Sequence, residues 1–372
     1  MEFKVSELRL EEAAELRKLA CPNFSVIEQL FLSKPKMGIV ARTEDGKIAG
    51  AAFLVTAKTA GKMTGCVDII FVLPQYRGSG VARLLYHGAV KALHEKGCET
   101  VMALVRGDNS QSLRRIEAEG LRPVTLYQLC KSIGVKATGL LFVKTAALAC
   151  ATGCWILSDC DEKDLSDGSV YTDRNSYIDR SSCTGGTGRN LLRTFLVNGL
   201  LITIGSLLGS FLHVTEFSAG TVFTALLVLG IITTGETIGM CLAGGKWHFA
   251  MPEAGLLPSA MIAVLGGFYP MLGHWYLKER ENTKQYRKRM ASPAIGAWLL
   301  MLLTAVLYLV FREKLSFFQH TGDLSFVMLL FYVLPFYPFD TFGAKRIRES
   351  SKEIYAALLG VSVIVLGLMF FL

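Results

Sequence analysis

Short runs rich in β-branched and aromatic residues, FKVSEL (3–8), MGIVART (37–43), IAGAAFLVTA (48–57) and CVDIIFVL (66–73), predict strands, the middle two meeting at the turn EDGK. RLEEAAELRKLA (9–20) carries apolar residues at helical spacing, and a long helix is predicted over about 81–96. The strand ETVMALVR (99–106), a helix beginning near Asn109 and two closing strands, LRPVTLYQL (121–129) and ATGLLFVKTA (137–146), complete a mixed α/β domain over 1–147. From about 158 to 190 the chain turns polar and rich in Asp, Ser and Gly, and 148–190 is read as a polar linker.

Beyond the linker the pattern changes scale. Apolar runs at about 191–213, 219–243, 256–276, 293–311, 324–341 and 354–372 are long enough to span a bilayer. If all six crossed from a cytosolic start, the basic stretches KERENTKQYRKRM (278–290) and AKRIRESSK (344–352) would lie outside, against the positive-inside tendency. Letting 255–273, interrupted by Gly and Pro, dip in and return puts both inside. The expected arrangement over 191–372 is therefore an all-α multi-pass membrane domain with five crossings and one re-entrant element. Taking 137–157 as an extra crossing also satisfies the charges, but it removes the last strand of the first domain and puts Lys144 in lipid.

Composition agrees with two joined regimes: 51% hydrophobic residues and a mean hydropathy of +0.40, yet 19% charged. The first twenty residues alternate charged and apolar positions without an apolar core, so they read as no secretory signal, and the first domain is expected in the cytosol. The nine cysteines form no C-x-x-C pair, which argues against structural zinc or a disulfide framework. Much of the net charge of +8 lies in the two basic stretches beside apolar runs, which points to cytoplasmic membrane flanks and away from nucleic acid.

The string VDIIFVLPQYRGSGVARLLYHGAVKAL (67–93) ends a strand at Leu73-Pro74 and passes through Gln75-Tyr76-Arg77-Gly78-Ser79-Gly80 directly into a helix. Glycines let backbone approach a ligand, and the free N–H groups of such a loop and first helical turn suit a pyrophosphate. Strand, Q-x-x-G-x-G and helix, followed at Asn109 by NSQSLRRIEAEGLRPV, resemble the GNAT superfamily of acyl-CoA-dependent N-acyltransferases over 1–147. That resemblance implies the GNAT fold, a mixed and mostly antiparallel central sheet with flanking helices, and acetyl-CoA as co-substrate. It implies that backbone around Phe71, Val72 and Leu73 pairs with the pantetheine arm. Gln75, Arg77, Gly78, Ser79, Gly80, Val81 and Ala82 would hold the pyrophosphate, and Asn109 would sit near the distal end of the arm. Transfer needs a base or an ordered water chain for the attacking amine, and an acid for the leaving thiolate. Asp68, four residues before Val72, is the candidate base because the family often places a carboxylate there; a solvent-facing strand residue is the alternative. Seven residues after the Asn the family often carries Tyr, and here stands Ile116. Tyr76 and Tyr127 are substitutes offered by residue type alone.

In the membrane half, GETIG (235–239) places Glu236 inside an apolar run. A charge near a bilayer centre costs at least ~2.5–3.5 kcal/mol on insertion scales, so Glu236 is expected to face a polar notch. In an H-E-x-x-H helix two imidazoles one turn apart bind zinc and the Glu is the general base. GETIG, then MASPAIGAWLL (290–300), then YVLPFYPFDTFGAKRI (332–347) resemble the membrane core of the site-2 protease family, whose strings centre on H-E-x-x-H, G-P-x-x-N and L-P-x-x-P-x-D-G. Both His positions are glycine here, Gly235 and Gly239, the Asn position is Gly296, and Glu236 and Asp340 remain. Read this way, the resemblance implies an inactive protease core without metal, with His248 and His274 in flanking loops. Glu236 is expected to bond Thr233, Thr237 or backbone bared by the glycines; a Glu lining a contact in an unrelated bundle is the alternative.

These readings join into a membrane-anchored N-acetyltransferase, multi-pass in the cell membrane with its first domain cytoplasmic. It would move acetyl from acetyl-CoA to an unidentified amine on a protein, polyamine or aminolipid. The alternative is a non-enzymatic acyl-CoA sensor or adaptor acting through the membrane module.

Overall fold

The computed structural model describes residues 2–23, 29, 32–145, 154–160, 186–213, 219–265, 272–278, 284–311, 325–330, 332–333 and 343–371. Contacts divide the chain into two units, Met1–Tyr177 and Ile178–Leu372.

The first unit is built on a seven-stranded sheet, β1 (Phe3–Glu7), β2 (Gly38–Thr43), β3 (Ile48–Thr59), β4 (Lys62–Val72), β5 (Thr100–Arg106), β6 (Arg122–Val124) and β7 (Cys154–Ser158), in the order β1-β2-β3-β4-β5-β7-β6. Among neighbouring strands only β4 and β5 run parallel, joined by a crossover helix, α2 (Val81–Glu95). Both faces are covered, and the period-2 alternation of β3 divides its side chains accordingly. Ala52 and Leu54 join the core under α2 with Val81, Leu85, Ala89 and Leu93. Ala51 and Phe53 join the opposite core with Leu16 and Ala20 of α1 (Ala13–Ala20) and with Phe71 of β4.

The sequence misleads after β5. Helix α3 (Ser110–Ala118) forms as expected, but the predicted strand 121–129 is a strand only over Arg122–Val124. It turns into α4 (Leu126–Ile133), and the predicted strand 137–146 is helix α5 (Val135–Lys144). The cause is a capping box: Gln128 N donates to Thr125 Oγ1 at 3.1 Å and Thr125 N donates to Gln128 Oε1 at 2.8 Å. In α5 the buried side chains are Ala137, Thr138, Leu141 and Phe142, a helical spacing. The sheet is completed by β7, inserted antiparallel between β5 and β6, inside the stretch 148–190 read as linker. The first domain therefore extends past residue 147. The extra crossing over 137–157 is overturned as well, since its described residues are a helix of this unit and a strand of its sheet.

In the second unit four helices among the described residues are long and apolar enough to cross a membrane. They are α6 (Gly186–Phe211), α7 (Ala219–Ala243), α9 (Lys284–Phe311) and α11 (Lys352–Phe371). The expected re-entrant run forms a nine-residue helix, α8 (Leu256–Val264), about 14 Å long at 1.5 Å per residue and too short for a hydrocarbon core of about 30 Å. It lies between two strands, β8 (Trp247–Ala250) and β9 (His274–Leu277), which pair antiparallel. His248 and His274 are thus buried strand residues, correcting their expected place in loops. Within the run 324–341, residues 325–330 are helical; Asp340 lies outside the described residues. Trp298 of α9 anchors the core, stacked on Tyr332 at 5.2 Å and donating from Nε1 to Ser362 Oγ of α11 at 2.8 Å.

Candidate functional site

The parallel β4–β5 pairing runs from Thr64↔Thr100 to Val67↔Ala103 and then ends. Beyond that point β5 bonds β7, and β4 keeps only β3. The departure coincides with a bulge: Phe53 pairs Ile69 while Leu54 pairs Val67, so Asp68 is the extra residue at the fork. Asp68 is half-buried, and its charge adds to burial in raising the thiol of Cys66 well above its ordinary 9.0.

Past the fork, Leu73 N donates to Ala49 O at 2.9 Å, so Leu73 and Phe71 direct their backbone to β3. Alternation turns Val72 the other way, toward the side β5 has left. Its carbonyl accepts from Arg77 Nε at 3.4 Å, and Arg77 Nη2 donates to Asn23 Oδ1 at 2.7 Å. Of the three residues expected to pair with an arm, Val72 is the one whose backbone turns away from β3, while the Phe71 side chain is committed to the core.

The loop leaves β4 through a 3-10 turn at Pro74–Tyr76, with Gln75 exposed and the Tyr76 ring edge-on to Phe3 at 5.9 Å. Gly78 and Gly80 have φ of +87° and +90°, and a Cβ on either would meet open space, so backbone conformation is what requires glycine there. Ser79 Oγ donates to Tyr76 O at 2.6 Å, closing the loop on itself. Among the described residues the N–H groups of Gly78, Gly80, Val81 and Ala82 have no backbone acceptor. A loop and helix start of this form is an anion cradle.

On the other side of the fork, β5 ends in a turn braced by Arg106, whose Nε and Nη2 donate to Asp108 Oδ1 at 2.9 Å and Oδ2 at 2.6 Å. Asn109 follows as the N-cap of α3, its Oδ1 accepting from Ser112 N at 3.2 Å. Ile116 is fully buried in the core, and Tyr127 is 68% exposed on α4. The phenol that sequence reasoning missed is Tyr86 of α2. It is buried, and its hydroxyl meets Ser112 of α3, so it bridges the two helices that start on either side of the fork. Burial raises it above its ordinary 10.0, against the opposing pull of Ser112 and Arg115, so it is protonated at neutral pH.

In the second unit, Glu236 pairs with His274, Nδ1 to Oε1 at 2.6 Å, both side chains at most 2% exposed. Thr233 and Thr237 do not take the carboxylate, since each hydroxyl donates one turn back, to Leu229 O and Thr233 O, both at 2.8 Å. Gly235 and Gly239 face α9 at backbone distance: a Cβ would lie 2.6 Å from Ala297 Cα at the first and 2.1 Å from Ser292 O at the second. Gly296 meets them from α9, its own Cβ position 2.2 Å from Gly235 O. The three glycines make a helix–helix contact, and the space an imidazole would need at 235 or 239 is filled by α9. Among the described residues no group of three or more His, Cys, Asp or Glu side chains is placed to hold a metal.

A family model described as the acetyltransferase (GNAT) family matches residues 6–119. The first unit accordingly carries a GNAT acetyltransferase domain. Among solved structures the chain is similar to the NatC complex bound to Gag peptide and CoA, at 17% identity over 43% of this chain and 99% of that one, TM-score 0.32. It is also similar to Arabidopsis thaliana Naa50 in complex with the bisubstrate analogue CoA-Ac-MVNAL, at 16% over 42% and 98%, TM-score 0.30. A third is the acetyltransferase of GNAT family from Streptococcus pneumoniae, at 16% over 33% and 86%, TM-score 0.29. No curated protein matches the chain.

Proposed function

We propose that the protein is a membrane-anchored N-acetyltransferase that moves acetyl from acetyl-CoA to an amine, with its first unit cytoplasmic and its second unit a protease-like scaffold without protease activity. The observation that carries the reading is the fork between β4 and β5, which leaves Val72 without a neighbouring strand on that side, beside a loop whose N–H groups have no backbone acceptor among the described residues, in a domain matched by the acetyltransferase model. The pantetheine arm would lie along Val72, and the pyrophosphate on Gly78 to Ala82. Acetyl-CoA supplies the activated thioester carbonyl. Asp68 at the fork accepts the proton released as the amine nitrogen bonds the carbonyl carbon and the carbon–sulfur bond breaks. Tyr86, protonated and bridged to Ser112, returns a proton to the departing thiolate.

The test is calorimetry of acetyl-CoA on the full chain in detergent, with a Gly78→Trp variant and an untargeted amine screen. Trp at φ +87° strains the loop and fills the cradle, so affinity should fall by at least about tenfold. Unchanged affinity in a folded variant would misplace the site. A second reading, an acyl-CoA sensor without turnover, is favoured by Ile116, a core residue where the family often has its acid. It predicts tight binding and no acetylated product from any amine. For the anchoring, Lys284→Cys should resist an impermeant thiol reagent in intact cells, whereas Phe318→Cys should react; the reverse pattern would invert the topology. Purified protein should hold no stoichiometric zinc, because Gly235 and Gly239 offer no ligand.

A further inference from the structure

The Arg77 side chain is exposed, yet its guanidinium is held from two sides. Nε donates to Val72 O at 3.4 Å, and Nη2 donates to Asn23 Oδ1 at 2.7 Å. Asn23 closes the 3-10 turn Cys21–Asn23 that follows α1, and its amide is fixed there, Nδ2 donating to Ala20 O at 3.2 Å and Leu19 O at 3.4 Å. Arg77 therefore straps the last residue of β4 to the end of α1, 54 residues earlier in the chain. The acceptors it holds are a backbone carbonyl and a carboxamide, both neutral. A phosphate offers a guanidinium more, because it carries the opposite charge and accepts two parallel N–H bonds. The place of the strap matters as well. Val72 is the residue whose backbone turns to the side β5 has left, so its carbonyl is the one an amide of a pantetheine arm needs.

We propose that Arg77 selects the acyl donor: it covers the Val72 carbonyl until phosphates draw it away, so thioesters bearing the nucleotide end are accepted and thioesters on bare pantetheine are disfavoured. The inference rests on the acetyl-CoA reading of this site and deepens it. Any donor lying along Val72 must displace Nε from the carbonyl. With acetyl-CoA the guanidinium moves to the phosphates gathered at Gly78 to Ala82, the residues that follow it directly, and exchanges neutral acceptors for anionic ones. With a pantetheine thioester nothing replaces the two bonds of the strap, so entry runs at a loss. One side chain thus adds to the affinity of one donor and subtracts from that of the other, which a simple phosphate ligand does not do. Arg77 is in this sense a specificity-determining residue, and it touches no reacting atom.

The experiment measures acetyl-CoA by calorimetry and S-acetylpantetheine by ligand-observed NMR on the full chain in detergent, for the parent, Arg77→Met, Asn23→Asp and the double variant. Arg77→Met should weaken acetyl-CoA at least ~10-fold and tighten S-acetylpantetheine at least ~3-fold. Asn23→Asp turns the strap into an ion pair and should weaken S-acetylpantetheine at least ~3-fold, an effect that disappears when Arg77→Met is also present. The Asn23→Asp arm carries the test by itself if Arg77→Met does not fold. Weakening of both donors by Arg77→Met, or S-acetylpantetheine binding that is unchanged or undetected in all four proteins, would overturn donor selection and leave acetyl-CoA binding standing. A parent chain that binds no acetyl-CoA would remove both readings.

Discussion

Replacing His274 with Ala strands a carboxylate inside the second unit. Glu236 and His274 are buried to within 2% of full enclosure, and their 2.6 Å bond is the only hydrogen bond either side chain makes among the described residues. Glu236 Oε2 and His274 Nε2 have no hydrogen-bond partner among the described residues, so neither side chain keeps a second bond when the pair is broken. Removing one member of a buried pair costs about 3–5 kcal/mol, whereas replacing both by packed apolar groups is close to neutral. The expected pattern is therefore a strongly coupled cycle. Glu236→Leu and His274→Leu, each alone, should destabilise the full chain by a few kcal/mol, and the double variant by at least ~2 kcal/mol less than their sum. Unfolding of the full chain in mixed micelles, titrated with a denaturing detergent, measures all four corners. A cost below ~1 kcal/mol for His274→Ala, or additive single effects, would mean that the pair contributes nothing as a pair and that the buried-carboxylate argument fails.

Gly239→Ala should destabilise the same unit by about 1–3 kcal/mol, because its Cβ would sit 2.1 Å from Ser292 O, while Gly230→Ala, whose nearest neighbour would be Phe195 at 4.0 Å, should be near neutral in the same titration. Asp68→Asn should lower turnover by at least ~10²-fold and leave acetyl-CoA affinity intact by calorimetry; a matching loss of affinity would place Asp68 in binding instead. Asp159 accepts from Val101 N at 2.7 Å and faces His94 Nε2 at 3.0 Å, yet burial outweighs both and raises its carboxyl above the ordinary 3.8. A raised carboxyl contributes stability that is complete below 3.8 and is lost as pH climbs through the folded value. Asp159→Asn should remove that loss, so the stability difference between variant and parent should grow in the variant's favour across this window and stay flat above it.

Much of the first unit was legible in the chain itself. The strands over 38–72, the crossover helix and the glycine loop follow from period and from residue types that only certain backbone conformations accept, and these are local properties. The stretch 121–158 was not legible in that way. Thr125 and Gln128 signal a helix only if the capping box is given more weight than the alternation around it, and the five residues of β7 gain their place from β5 and β6, far off in sequence. The candidate site divides similarly. The sequence named Asp68, the loop and Asn109 as candidates, but that Asp68 occupies a bulge at the point where β4 and β5 part is a matter of strand register, which depends on three strands at once. The phenol of Tyr86 became a candidate only when α2 and α3 were seen to bring it to Ser112. In the second unit the sequence marked Glu236 and its flanking glycines as unusual. Its partner lies 38 residues away on a short strand, and the glycines face a neighbouring helix; both depend on how the elements of this unit pack, which hydropathy does not encode because it reports only what a side chain avoids.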